Sequence, residues 1–109
     1  MNTLKTVDIG HKNYHLDRAL SELETEVSTA MFEGNIRALK IIHGHGEGAL
    51  RKSVREWCEG QDGRFKAVIY GEDYDMFHQE SVDMRSACGN PRDGHLGMKN
   101  RSVTYIWLW

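Results

Sequence analysis

The chain has 109 residues, 39% of them apolar and 28% charged, which suits one folded domain with its own core and excludes wholesale disorder. Its longest apolar run, Tyr105 to Trp109, is far below the ~20 residues of a membrane span, and the opening MNTLKTVDIG lacks the apolar stretch of a secretion signal, so the expected location is cytoplasmic, away from membranes. The net charge of −2 is unevenly spread: residues 1–34 carry −3, 35–70 carry +3, 71–97 carry −4 and 98–109 carry +2, so a basic middle lies between acidic flanks.

Leu4 to Ile9 is expected to form a short strand in which Asp8 faces away from Val7 and Ile9. From Leu16 the spacing turns helical, with Leu16, Ala19, Leu20, Leu23, Val27, Ala30 and Met31 at steps of three and four and Gly34 as the stop. Ala38 to Ile42 is expected to be a buried strand. The alternate glycines of His43-Gly44-His45-Gly46-Glu47-Gly48 fit neither helix nor strand. A second helix is expected over Ala49 to Glu59, with Leu50, Val54, Trp57 and Cys58 inward and Arg51, Lys52 and Arg55 mostly outward. Phe65 to Tyr70 and Ser102 to Trp109 are rich in β-branched and aromatic residues and are expected to be strands.

Between those two strands, residues 71–97 are acidic, polar and poorly periodic, and hold the sole proline, Pro91. A long loop with a short helix near Ser81 to Ala87 is expected there. The order β-α-β-α-β-β favours a mixed four-stranded sheet with two helices on one face. Cys58 and Cys88 belong to no CxxC pair, which excludes a disulfide scaffold and a cysteine-based zinc site. Cys58 is expected to be buried and Cys88 to be a loop thiol.

The chemistry concentrates where the second strand ends. Glycines let backbone N–H groups approach a ligand closely, and the helix that follows adds unpaired N–H groups and the positive end of its dipole. That combination is built to hold phosphate. His43 opens the loop as a candidate acid or base, and Arg51, Lys52 and Arg55 are candidates for flanking phosphates. Glu47 is expected to be structural, favoured by the start of the helix. His78 and His95 lack metal-ligand spacing. Tyr105, Trp107 and Trp109 share one face of the last strand, which is expected either to pack within the chain, to form a homodimer contact, or to offer a base-stacking surface.

Ile41-Ile42-His43-Gly44-His45-Gly46-Glu47-Gly48-Ala49-Leu50-Arg51-Lys52 closely resembles the HGxGxG signature of Smr (small MutS-related) domains. The element order is similar to that family over residues 4–70, and more weakly over the last strand. The resemblance implies a single Smr-like domain over residues 1–109, with an acidic insertion at about 71–97. It implies an α/β two-layer sandwich, β-α-β-α-β-β, similar to the C-terminal domain of translation initiation factor 3. It also implies a domain that binds DNA or RNA, including structured or branched forms, with endonuclease or nicking activity as the leading reading.

Asp8 matches the first position of the family's D-x-H motif, but Gly10 stands where the histidine is expected. Either His11 takes that place, or His15 does, or the role is lost. Lys99-Asn100-Arg101-Ser102 stands where the family often has a glycine-rich stretch. The catalytic candidates are therefore Asp8, His11 and His43. The phosphate-binding candidates are Gly44, His45, Gly46, Gly48, Arg51, Lys52, Arg55, Lys99 and Arg101. No resident metal is assigned, and Mg2+ or Mn2+ is an optional participant. The alternative reading is a binding module without cleavage.

Overall fold

The computed structural model describes residues 2–10, 15–44 and 48–109. Seven elements follow one another: β1 (Leu4–Asp8), α1 (Leu16–Glu33), β2 (Ala38–Ile42), α2 (Ala49–Glu59), β3 (Ala67–Tyr70), α3 (Gln79–Ala87) and β4 (Val103–Trp107). The strands form one mixed sheet in the order β1-β2-β4-β3. β1 and β2 are parallel, in the register Asp8 opposite Ile42, and α1 crosses between them. β4 runs antiparallel to both β2 and β3.

α1 ends where its sequence says it should. Gly34 adopts the left-handed conformation (φ 74°) and its N–H returns to the Ala30 carbonyl, a turn that L-residues with side chains resist. The helix buries Ala19, Leu23, Val27 and Ala30. Leu16 and Met31, expected inward from their spacing, lie at the two ends of the helix and stay largely exposed.

The sheet is covered on both faces. On one face Val7, Leu39, Ile41 and Ile106 pack with Leu23 and Val27 of α1 and with Val54 and Cys58 of α2. On the other, Ala38, Ile69, Val103, Tyr105 and Trp107 pack with Tyr74, Met84 and Cys88. Residues 71–97 hold the expected short helix, observed as α3, and the irregular segments around it pack with it as a third layer on the sheet. The reason lies in β4, where all five residues are buried; a strand apolar on both faces needs cover on both. His78 caps α3, its side chain accepting a hydrogen bond from Ser81 N. Cys88 ends α3 inside the core and is not a loop thiol.

A polar network pins this layer to the sheet. Lys40 Nζ of β2 lies 2.6 Å from Asp93 Oδ1, and the Tyr105 hydroxyl donates to Asp93 Oδ2 at 2.6 Å. Tyr105 stacks on Tyr74 with 3.9 Å between ring centroids, and Arg85 donates to the Tyr74 hydroxyl. The last strand is therefore central, not an edge. With Tyr105 and Trp107 buried inside the chain, that strand offers a second copy neither a free edge nor an open aromatic face; only Trp109 is partly exposed, under the Arg37 guanidinium.

Candidate functional site

Three segments meet at the sheet edge where β1 and β2 end and β4 begins. The Ile9 and Gly10 amides both donate to the Ile42 carbonyl, at 2.9 and 3.1 Å. The His43 and Gly44 amides both donate to Ser102 O, at 2.9 and 3.2 Å. Asp8 Oδ1 accepts the Gly10 amide at 2.9 Å. Gly10 is packed so closely on the next strand end that a Cβ there would lie 2.6 Å from the His43 carbonyl carbon. The backbone thus occupies the space that a side chain at position 10 would need.

His43 is 4% exposed. Its Nε2 lies 2.9 Å from Thr104 Oγ1, and Arg55 Nε donates to the same oxygen at 3.1 Å. Nδ1 lies 3.4 Å from the Gly44 carbonyl. One tautomer uses all of these contacts: Nδ1–H faces Gly44 O, and Nε2 accepts from the Thr104 hydroxyl, which itself accepts from Arg55. Burial pushes the imidazole pKa down to about 4, and the Arg55 and Arg51 charges add to that against the opposing Gly44 contact. His43 is therefore neutral at pH 7.

Arg55 does not point outward as its helical position suggested. Its guanidinium makes a two-pronged ion pair with Glu72, at 2.9 and 2.6 Å, donates to Val103 O and covers the Tyr70 ring at 4.1 Å. Hydrogen bonding to Arg55 holds the Glu72 carboxyl below its ordinary range. Arg55 is committed to joining α2, the start of the third layer and β4.

Two further cations, Arg51 and Lys52, lie one turn earlier. Gly44 (φ 77°) and Gly48 (φ 88°) are left-handed, and Gly48 begins α2 with no side-chain cap for the first-turn amides. The Arg51 guanidinium lies over Gly48, so close that a Cβ on Gly48 would be 2.8 Å from it. The Lys52 side chain is 77% exposed, 3.9 Å from Glu56. Gly48, Arg51, Lys52, Glu56, Glu59 and Tyr70 line a cleft of about 610 Å³ along α2. His95, Lys99 and Arg101 line a separate, smaller hollow of about 330 Å³, with Lys99 itself left-handed (φ 52°).

The strand ends therefore bring Asp8, His43 and Gly44 together, while Gly48, Arg51 and Lys52 line one cleft, Lys99 and Arg101 line another, and Arg55 is held in ion pairing and hydrogen bonds to Glu72, Thr104 and Val103. His11, His45 and Gly46, with Glu47, lie outside the described residues. His15 is exposed and precedes α1 without capping it. Thr104 and Glu72 were missed by sequence reasoning. Thr104 carried a signal, as the polar residue of the apolar run Val103 to Trp107; Glu72 carried none among the neighbouring acids. Among the described residues no group of three or more His, Cys, Asp or Glu side chains could hold a metal ion. No described helix is long and apolar enough to cross a membrane.

Fold and site together define an α/β domain whose candidate groups cluster around the carboxyl ends of the parallel strands β1 and β2. The Smr domain model matches residues 11–108, and the chain belongs to that family. Over 51 residues it is 33% identical to the endonuclease MutS2 of Brevibacillus brevis, a stretch covering 47% of this chain and 6% of that much longer protein. Its fold is similar to the crystal structure of the Smr domain of Thermus thermophilus MutS2, with a TM-score of 0.63 at 22% identity, covering 96% of this chain and 98% of that one.

Proposed function

We propose that this chain, acting as one Smr-like domain in the cytoplasm, binds DNA or RNA through the phosphate backbone at the turn between β2 and α2. The observation that carries this reading is the start of α2 at left-handed Gly48, which brings no side chain to cap it, with Arg51 folded over it and the exposed Lys52 beside it. Gly44 and Gly48 supply backbone donors, and Gly46 and His45, which lie between them in the sequence, are the further candidates for the same phosphate. Lys99 and Arg101 extend the contact along a structured or branched strand. His43 serves by holding the turn: its ring links Thr104 to the Gly44 carbonyl, and in its neutral state it is not a ready proton donor.

Cleavage is the second reading, favoured by Asp8 standing beside the end of β2 and by the name of the Brevibacillus relative. In it Asp8, His11 and His43 carry the chemistry, Mg2+ or Mn2+ is optional, and the turn's amides stabilise charge building on the phosphate. RNA brings its own 2′-hydroxyl as nucleophile, whereas DNA needs an activated water.

One experiment separates the two. Retention of end-labelled structured RNA and of supercoiled plasmid is measured against salt, for the wild type, Arg51→Ala with Lys52→Ala, and Asp8→Asn, with Mg2+ and with EDTA. Phosphate binding predicts a salt slope that falls by about one for each cation removed. Intact substrate in every retained sample supports binding alone. Cutting by the wild type that Asp8→Asn abolishes supports the nuclease. Binding with no salt dependence overturns both.

A further inference from the structure

β4 buries a hydroxyl where the fold alone asks for none. Thr104 has no exposed surface and stands between Val103 and Tyr105 in a central strand. Valine has nearly the same shape, suits a strand as well and has no polar atom to satisfy, whereas a buried hydroxyl costs stability unless it is hydrogen-bonded. The Thr104 hydroxyl is explained by what it touches, His43 Nε2 at 2.9 Å and Arg55 Nε at 3.1 Å.

Arg55 removes the ambiguity of that pair. A guanidinium only donates, so Thr104 Oγ1 accepts there and keeps one proton to give. Were His43 to carry its proton on Nε2, Oγ1 would accept twice and its own proton would have no acceptor among the described residues. With the proton on Nδ1 every group is matched: Nε2 accepts from Thr104, and Nδ1–H faces the Gly44 carbonyl at 3.4 Å. Arg55 is itself fixed, since Glu72 holds it at 2.9 and 2.6 Å and Val103 O accepts a third bond at 3.2 Å. One line of contacts thus runs from Glu72, just beyond β3, through Arg55, Thr104 and His43 to Gly44.

We propose that Thr104 is a positioning residue for the phosphate turn, imposing the Nδ1–H tautomer on His43 so that the ring holds the Gly44 carbonyl, with Glu72 and Arg55 fixing the direction in which the hydroxyl donates. The tautomer follows from the hydrogen bonds alone, and its effect on binding rests on the phosphate-binding reading. Without the hydroxyl, the ring is free to take its proton on Nε2. Nδ1 then turns a lone pair on the Gly44 carbonyl, so that two acceptors face each other and the turn that Gly44 opens loses its hold.

Two readouts test this on the wild type, Thr104→Val, Thr104→Ser and Glu72→Gln. The first is the histidine side-chain 15N spectrum at pH 7, with the His43 signals assigned from His43→Gln. The second is binding of a fluorescently labelled RNA hairpin, by anisotropy at several salt concentrations. The wild type should show His43 protonated on Nδ1. Thr104→Val should move the proton to Nε2 and weaken binding by about fivefold, the worth of one hydrogen bond, with the salt slope unchanged because the cations remain. Thr104→Ser should restore both. Glu72→Gln should move the ring partly in the same direction, and it carries the test if Thr104→Val does not fold. A wild-type ring protonated on Nε2, or a tautomer that neither Thr104→Val nor Glu72→Gln moves, overturns the proposal. A moved proton with unchanged affinity overturns the positioning role and spares phosphate binding. Absence of salt-dependent binding by the wild type overturns the phosphate-binding reading and the positioning role together, whatever the tautomer.

Discussion

Burial of His43 makes stability depend on pH within a definite window. Its folded pKa is about 4, against an ordinary value of 6.5, so between those pH values the unfolded chain binds the extra proton. The His43 contribution is complete above pH 6.5 and is lost as pH falls toward 4, with a ceiling of about 3 kcal/mol. Glu24, Glu72 and Asp93 have lowered carboxyl pKa values, and their contributions go at still lower pH. Urea midpoints measured from pH 7 to pH 4.5 should therefore fall for the wild type and fall much less for His43→Gln; parallel curves would show that the ring is not desolvated. Gly10 gives a second test at this scale. Gly10→Ala puts a methyl group against the His43 backbone and should cost about 1–3 kcal/mol in urea denaturation. An unchanged midpoint would mean that the end of β1 moves aside freely.

Among the elements, the third layer depends most on a single contact. Asp93 is nearly sealed, with 2% of its side chain exposed, and Lys40 opposite it has 11%. Asp93→Asn leaves the Lys40 ammonium buried without its counter-charge and should cost about 3 kcal/mol or more. Adding Lys40→Met should recover much of that loss, because replacing both partners removes the stranded charge. If the double variant is no more stable than Asp93→Asn, the two side chains are not coupled. Most elements were legible because period and punctuation agreed: β2 and α2 have the expected bounds, and Gly34 ends α1. Residues 71–97 were harder. α3 buries only Ser81 and Met84, and Tyr74 and Cys88 complete its apolar surface from outside the helix, so no periodic stripe announces the layer.

For the molecule as a whole, the mixed four-stranded sheet was readable from the order of strands and helices along the chain, and the family from the signature over residues 41–52 set within that order. The position of β4 between β2 and β3 was not readable, since local pattern says nothing about which strand takes a central place. The fate of Arg55 was equally hidden. Its helical position matches an outward residue, and only the arrival of Glu72 and Thr104 from distant segments draws it in. The sheet edge holding Asp8 and His43 followed from strand ends alone, whereas the tie from His43 to Thr104 needed the three-dimensional register.

The central place of β4 also dictates an order of events during synthesis. β1, α1 and β2 emerge first and have one another for partners, with β1 and β2 already parallel neighbours. β3 pairs with β4 and with no other strand, yet about thirty residues must be made after it before that partner appears. Until Val103–Trp107 leave the ribosome, β2 and β3 each present an open edge, and the inner faces of both layers lack their common strand. Nascent chains halted before residue 103 should therefore be the species most in need of a chaperone.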